Sequence, residues 1–395
     1  FRACYNLETL NISSSLKSGL DDALLGTIVL KNVNIAATNE NYSAENGVVY
    51  NKLKDTVICL YAKPDVDENG TLTITVSNIG NSAYAGIPYI KKVKFSKNIT
   101  TIGDSAFNGC TNLTEVEFAE GSGNITQINA SAFANCTSLT SVKNMPNSIK
   151  TIGASAFKGC SALASITWGS GITELGTSAF ENSGLTTVTL PVQLETLNGN
   201  VFKGTPAVKN PIAVTLPNTL KTIAANAFYN IKITSITLPE GLVTIGKDAF
   251  NASFSSTACA KSLKIPSSVT TIGDNAFKGC TSLTDVTFAS DASVSSIGTY
   301  AFSGCKALIA VKLPESLVTL GNYAFQGCVA MTSVDLPSSL ETLGTNAFNG
   351  CSKLVDVTFA KGIKIDTIGN NTFTGCTALK IITVPEGVRV IGDEA

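Results

Sequence analysis

Histidine is absent from all 395 residues. That removes the side chain most often used as a general base, as the activator of a Ser or Cys nucleophile, and as a metal ligand. Charge is scarce too: Asp, Glu, Lys and Arg make up 14%, against roughly 25% in an average soluble protein. Basic residues never gather beyond pairs such as Lys91-Lys92, and the formal net charge is -1. A nucleic-acid footprint needs a basic stripe and a polybasic membrane contact needs a cluster, and neither is present. No apolar run reaches the ~18 residues of a membrane span. The 11 cysteines include no Cys-x-x-Cys pair, so a zinc site has no spacing support. These absences point away from an enzyme, from cofactors and metals, from nucleic acid and from a membrane-spanning chain.

Hydrophobic residues make up 44%, ample for a large interior, and they recur in a fixed frame. Thr101-Ile102-Gly103-Asp104-Ser105-Ala106-Phe107-Asn108-Gly109-Cys110 is followed by Leu113, Val116 and Phe118. The frame returns at Phe157 with Gly159, Cys160 and Leu163, and at Phe277 with Gly279, Cys280 and Leu283. Its anchor aromatic falls at Phe107, Phe133, Phe157, Phe180, Phe202, Phe228, Phe250, Phe277, Phe302, Phe325, Phe348 and Phe373, spaced 22 to 27 residues apart. Weaker copies lie upstream at Phe1-Arg2-Ala3-Cys4, Ala23-Leu24-Leu25-Gly26 and Ala83-Tyr84-Ala85-Gly86. Such a period marks a repeat array, which grows in one direction around a continuous core.

Each slot has a physical reading. Leu-x-x-Val-x-Phe alternates apolar and polar residues, the pattern of a strand with one buried face. Pro follows that strand at Pro146, Pro191, Pro217, Pro239, Pro266, Pro314, Pro337 and Pro385, where a missing N–H ends the ladder. The glycine after Ile (Gly80, Gly103, Gly153, Gly246, Gly273, Gly298, Gly321, Gly344 and Gly369) is expected at positive φ, with Asn129 and Asn198 as the next-best residues and Ala224 as an exception. Cys4, Cys110, Cys136, Cys160, Cys280, Cys305, Cys328, Cys351 and Cys376 share one slot. They read as a column of buried thiols acting as small hydrophobes, with slot-to-slot disulfides as the alternative.

Residues 38–78 do not fit the frame. Gly47 to Tyr50 and Thr56 to Tyr61 read as two strands around the turn Asn51 to Asp55, with a third strand over Thr71 to Val76. The chain therefore divides into degenerate repeats over 1–37, an inserted hairpin segment over 38–78 and regular repeats over 79–395, all in one repeat array whose two ends fall mid-repeat. Asp65-Val66-Asp67-Glu68-Asn69-Gly70 resembles half a calcium loop, but its twelfth position is Val76 where a Glu is needed. An Asn-Gly hairpin turn explains the same residues.

The outward strand positions form the candidate partner-binding face: Glu115, Glu117, Lys143, Thr167, Thr189, Thr237, Asp285, Lys312, Asp335 and Asp356. This face is rich in hydroxyls, with scattered charge of both signs and no convergent acid pair. Trp168, the only indole, stands just beyond a strand; it could stack on a sugar ring or pack locally.

The motif I-G-x-x-A-F-x-G-C-x-x-L at Ile102 and Ile272 resembles the BspA-type, or Treponema pallidum-type, leucine-rich repeats. Tyr42-Ser43-Ala44-Glu45-Asn46-Gly47-Val48-Val49-Tyr50-Asn51-Lys52 is similar to an insertion common in that family. The resemblance implies an α/β or mainly β leucine-rich-repeat solenoid, a curved right-handed coil of about 15 repeats with a parallel β-sheet on its concave face. It implies a secreted or cell-surface protein of a host-associated microbe. Relatives act as adhesins toward matrix proteins such as fibronectin and fibrinogen, or toward other cells. No catalytic or binding residue carries over. The expectation is a monomeric, non-catalytic adhesion module with an extracellular protein partner. A glycan-binding module and a spacer presenting other domains are the alternatives.

Overall fold

The computed structural model describes residues 1, 4, 6–20, 23–24, 30–61, 66–204 and 211–395. Arg2, Ala3, Leu25 and Gly26 of the weak upstream frames, and Asp65 of the calcium-like string, lie outside the described residues. The described chain is built of strands and turns, with no helix among the described residues. It is a solenoid of parallel strands, the mainly β form of the repeat. Two compact units divide it, Phe1–Leu185 and Thr186–Ala395.

In the first unit a four-stranded parallel sheet joins Thr71–Ile74, Lys92–Phe95, Glu115–Phe118 and Ser141–Lys143. In the second, Val188–Thr189, Ile212–Thr215 and Ile233–Ile236 form one parallel sheet. A five-stranded one joins Ser262–Ile265, Asp285–Phe288, Ala310–Lys312, Ser333–Leu336 and Asp356–Phe359. Strands pair one repeat apart, as in Lys92↔Glu115 and Val93↔Val116. The alternation seen in sequence is the cause: Val93 and Val116 are fully buried while their neighbours face out. A second ladder of two-residue strands follows each proline turn, as at Thr151–Ile152 paired with Glu174–Leu175. Each of these prolines accepts a hydrogen bond from the residue three along, for example Leu317 N to Pro314 O at 3.0 Å, so proline begins the turn that ends the strand.

Within each unit the anchor rings stack. Tyr84, Phe107, Phe133, Phe157 and Phe180 stack in the first unit with centroids 5.1 to 5.5 Å apart. Phe202, Phe228, Phe250, Phe277, Phe302, Phe325, Phe348 and Phe373 do so in the second at 5.1 to 5.8 Å. Every ring but Phe373, which is half-buried, is buried; each full burial stabilises the fold by about 1.5–3 kcal/mol, with a further increment from ring pairing. Phe254, outside both sequence slots, is also buried and lies 6.0 Å from Phe250.

The glycine after Ile is not at positive φ, contrary to expectation. None of Gly80, Gly103, Gly153, Gly246, Gly273, Gly298, Gly321, Gly344 and Gly369 is left-handed, nor are Asn129, Asn198 and Ala224. The reason for glycine is close approach between coils: a Cβ on Gly103 would lie 2.6 Å from the carbonyl carbon of Gly80. The left-handed glycine is the one before Cys, as at Gly109 (φ 75), where Asn135 (φ 57) substitutes in the next coil.

The segment around residues 38–78 is stitched to the repeats. Tyr42–Glu45 and Val48–Asn51 pair antiparallel around Asn46 and Gly47, whose φ values of 49 and 82 match a two-residue type I′ turn. Val48–Asn51 then pairs antiparallel with Thr56–Leu60, which continues in parallel to Asn78–Ile79. The parallel ladder of four-residue strands already includes Thr71–Ile74, upstream of residue 79. Buried Asn39 ties this segment down: its amide donates to the carbonyls of Ser13 and Leu16 and accepts from the backbone of Asn41 and Tyr42. At Asp67 the carboxylate accepts from the N–H groups of Asn69 and Thr71, closing a turn in which Gly70 alone is left-handed. Asp67 N also donates to Thr71 O and Val66 bridges Leu72 antiparallel, so Asn69 and Gly70 sit in a hairpin turn, one of three residues with the glycine left-handed at its end.

Candidate functional site

The outward face of the Thr71–Lys143 sheet concentrates charge. Its rows come from the register: Thr71, Lys92, Glu115 and Ser141 in one, Thr73, Lys94, Glu117 and Lys143 in the other. Lys-Val-Lys on one strand meets Glu-Val-Glu on the next. Glu115 Oε2 lies 2.6 Å from Lys143 Nζ and Oε1 4.0 Å from Lys92 Nζ, while Glu117 reaches Lys94 at 3.7 Å. The bond from Lys143 holds the Glu115 carboxyl below the usual carboxylate range, and the same bond raises the Lys143 ammonium. The Glu115 side chain is only 16% exposed while Lys92, Lys94 and Lys143 are about half exposed. Both carboxylates are engaged, so the face presents lysine heads over an acidic floor. Such a face can bind charged groups on a partner but offers no free base or nucleophile.

The remaining expected residues fall on other surfaces. Thr167 is not on a strand: Ala164 to Trp168 runs as irregular chain. Trp168 there is half-buried and packs edge-on against Phe180 at 5.5 Å. Thr189 ends Val188–Thr189 and is exposed, whereas Thr237 lies one residue past the strand Ile233–Ile236. Asp285, Lys312, Asp335 and Asp356 all face out on the five-stranded sheet of the second unit. Lys312 stands opposite Asp335 in register, yet no ion pair joins them among the described residues. The sequence reading missed Lys92 and Lys94. Their signal was available: Lys-Val-Lys and Glu-Val-Glu occupy the same slot in successive repeats.

The cysteine slot is interior. Every cysteine except Cys4 is buried, and all are free thiols. Burial pushes Cys110, Cys160 and Cys351 up to about 12 and Cys376 to about 11, the opposite of what a reactive thiol needs. No cluster of His, Cys, Asp or Glu able to hold a metal occurs among the described residues. No described helix is long and apolar enough to cross a membrane.

The family model described as "BspA type Leucine rich repeat region (6 copies)" matches residues 77–209, 208–292, 251–365 and 288–395. The chain belongs to the BspA-type leucine-rich-repeat family. No curated protein sequence matches it. Among solved structures this BspA-type chain is similar to a leucine-rich repeat protein from Bacteroides ovatus, at 24% identity and a TM-score of 0.61, over 86% of this chain and 91% of that one. It is also similar to the pneumococcal vaccine antigen PcpA, at 18% identity and a TM-score of 0.52, covering 89% and 93%. A leucine-rich cell surface protein from Faecalibacterium prausnitzii aligns at 23% identity and a TM-score of 0.49, covering 90% and 95%. At these identities the fold is what this chain shares with the Bacteroides ovatus protein and the pneumococcal antigen.

Proposed function

We propose that this BspA-type solenoid is a non-catalytic, extracellular protein-binding module that attaches the cell bearing it to a matrix or host-cell protein. The observation that carries this reading is the in-register Lys92, Lys94, Glu115, Glu117 and Lys143 face. Its carboxylates are engaged in ion pairs, and its lysine heads stand about half exposed on a parallel sheet. A rigid, charge-patterned face loses little conformational freedom on binding and steers a complementary partner. Absent histidine and buried, high-pKa thiols leave few groups for catalysis. The Bacteroides ovatus, Faecalibacterium prausnitzii and pneumococcal neighbours are in keeping with a bacterial surface protein.

The test is binding of the purified chain, as a monomer, to immobilised fibronectin and fibrinogen over a range of salt. Saturable binding that weakens with salt, and weakens further in Lys94→Thr with an unchanged melting temperature, supports the reading. Absence of binding up to high micromolar concentration favours a spacer that presents other domains.

A further inference from the structure

Two residues before each anchor the chain turns left-handed, and the residue there is small and polar: Ser105, Asn226, Asp248, Asn275, Asn346 and Asn371 are examples. Two adjacent coils depart from this with Tyr300 (φ 57) and Tyr323 (φ 58). A bulky side chain is disfavoured in that region, and smaller residues make the same turn elsewhere in this chain, so the fold does not ask for tyrosine here. Strain kept without a structural need is characteristic of binding sites.

The two rings stack with centroids 4.5 Å apart and planes within 8°, and Lys278 Nζ sits 4.7 Å from the Tyr300 centroid. Tyr300 is thus covered on both faces, by a cation and by a ring. Tyr323 has Tyr300 on one side only. On its other side the next coil offers Asn346, whose amide oxygen accepts a hydrogen bond from Asn349 Nδ2 at 3.1 Å. The N–H groups of Tyr323 and Phe325 donate to the carbonyls of Thr345 and Ala347, which sets Asn346 beside the half-buried Tyr323 where the ladder ends.

We infer that Tyr323, Asn346 and Asn349 form a carbohydrate-binding subsite in which a pyranose ring continues the aromatic ladder. A pyranose has an apolar C–H face and a rim of hydroxyls, and it needs a flat ring beside neutral donors and acceptors. Tyr323 supplies the first and the two amides the second, as in other sites where a few polar groups orient a ligand on an aromatic wall. Lys278 and Tyr300 hold the Tyr323 ring in place from behind. The subsite lies in the second unit and does not depend on the charged face of the first.

Saturation-transfer NMR of the full chain with chitohexaose, cellohexaose and maltohexaose tests this. At least one of the three should bind saturably with Kd of about millimolar order. Tyr323→Phe should keep that binding. Tyr323→Asn, which installs the residue used in other coils and so leaves the fold intact, should weaken it at least about tenfold. Failure of all three sugars to saturate overturns the inference, as does equal binding by Tyr323→Asn. If Tyr323→Asn instead loses fibronectin or fibrinogen binding while no sugar binds, the patch is a protein contact and the subsite is refuted.

Discussion

The thiol of Cys136 donates a hydrogen bond to the carbonyl of Phe107 in the preceding coil, with Sγ 3.2 Å from the oxygen. The same bond runs from Cys160 to Phe133, Cys280 to Phe250, Cys305 to Phe277, Cys328 to Phe302, Cys351 to Phe325 and Cys376 to Phe348. Cys110 bonds the carbonyl of Tyr84, the anchor of its own preceding coil. Ser253 occupies the slot in another coil and donates to Phe228. The column is therefore more than apolar filling: its thiols and Ser253 are small donors that stitch an anchor to the next coil, while Ser183 and Ile231 in the same slot make no such bond.

That relationship separates two substitutions. Cys351→Ser keeps a donor and should change stability little, as Ser253 already shows the slot accepts a hydroxyl. Cys351→Val removes it. The Phe325 carbonyl still accepts from Cys328 N, so the loss should be about 0.5–1.5 kcal/mol, the net worth of one hydrogen bond. Urea unfolding of both variants checks this, and equal midpoints would remove the thiol bond from the account.

Burial raises these thiols from an ordinary 9.0 to about 12 at Cys110, Cys160 and Cys351 and about 11 at Cys376. The folded chain keeps protons that the unfolded chain releases above pH 9. Their contribution is complete below that pH and is lost as pH climbs through the folded values. Within the window each pH unit costs about 1.4 kcal/mol per thiol. Urea midpoints should be flat near neutrality and fall steeply above pH 9, and Cys110→Ser with Cys160→Ser should flatten the fall. An unchanged slope in that double variant would contradict the assignment.

Inside and outside are testable at one repeat. Phe302 is fully buried between Phe277 and Phe325, so Phe302→Ala should cost about 3–5 kcal/mol. Thr287 faces outward on its strand, and Thr287→Ala should stay within about 0.5 kcal/mol. Thermal melts that tolerated both equally would show the register to be wrong.

The glycines divide by mechanism. Gly321→Ala would place Cβ 2.5 Å from the carbonyl carbon of Gly298, and such overpacking should cost about 1–3 kcal/mol. Gly109→Asn should be nearly neutral, since Asn135 holds the same left-handed slot in the next coil. Melting temperatures that fell equally in both would mean conformation, and not approach, governs the first slot.

Much of this was legible in the sequence. The anchors, the alternating strand and the proline turn are local patterns repeated many times, so Phe107 and Val116 could be placed inside from spacing alone. What escaped was relational. A glycine letter does not tell whether it serves positive φ or close packing, and Gly103 needed the position of Gly80 to decide. The thiol bonds join residues a full coil apart, and a single repeat shows only a small apolar slot. Thr167 failed because its coil, although in frame, runs as irregular chain at that point. Tyr300 and Tyr323 carried a usable signal, tyrosine twice running where the slot is otherwise Ser, Asn or Asp, but their stacking shows only in space. The candidate face was half visible: Glu115 and Glu117 stood out, while their ion pairs with Lys92, Lys94 and Lys143 required the strand register.

We propose that the outward face of the Thr71–Lys143 sheet binds a protein partner. It is tested by comparing the wild type with a Lys92→Thr, Lys94→Thr double variant for binding to immobilised fibronectin and fibrinogen. Both lysines are about half exposed, and Thr71 and Thr73 hold the same rows one strand over, so the fold should keep its melting temperature. The account predicts that binding falls at least about tenfold and loses most of its salt dependence. Wild-type affinity in the double variant would contradict it.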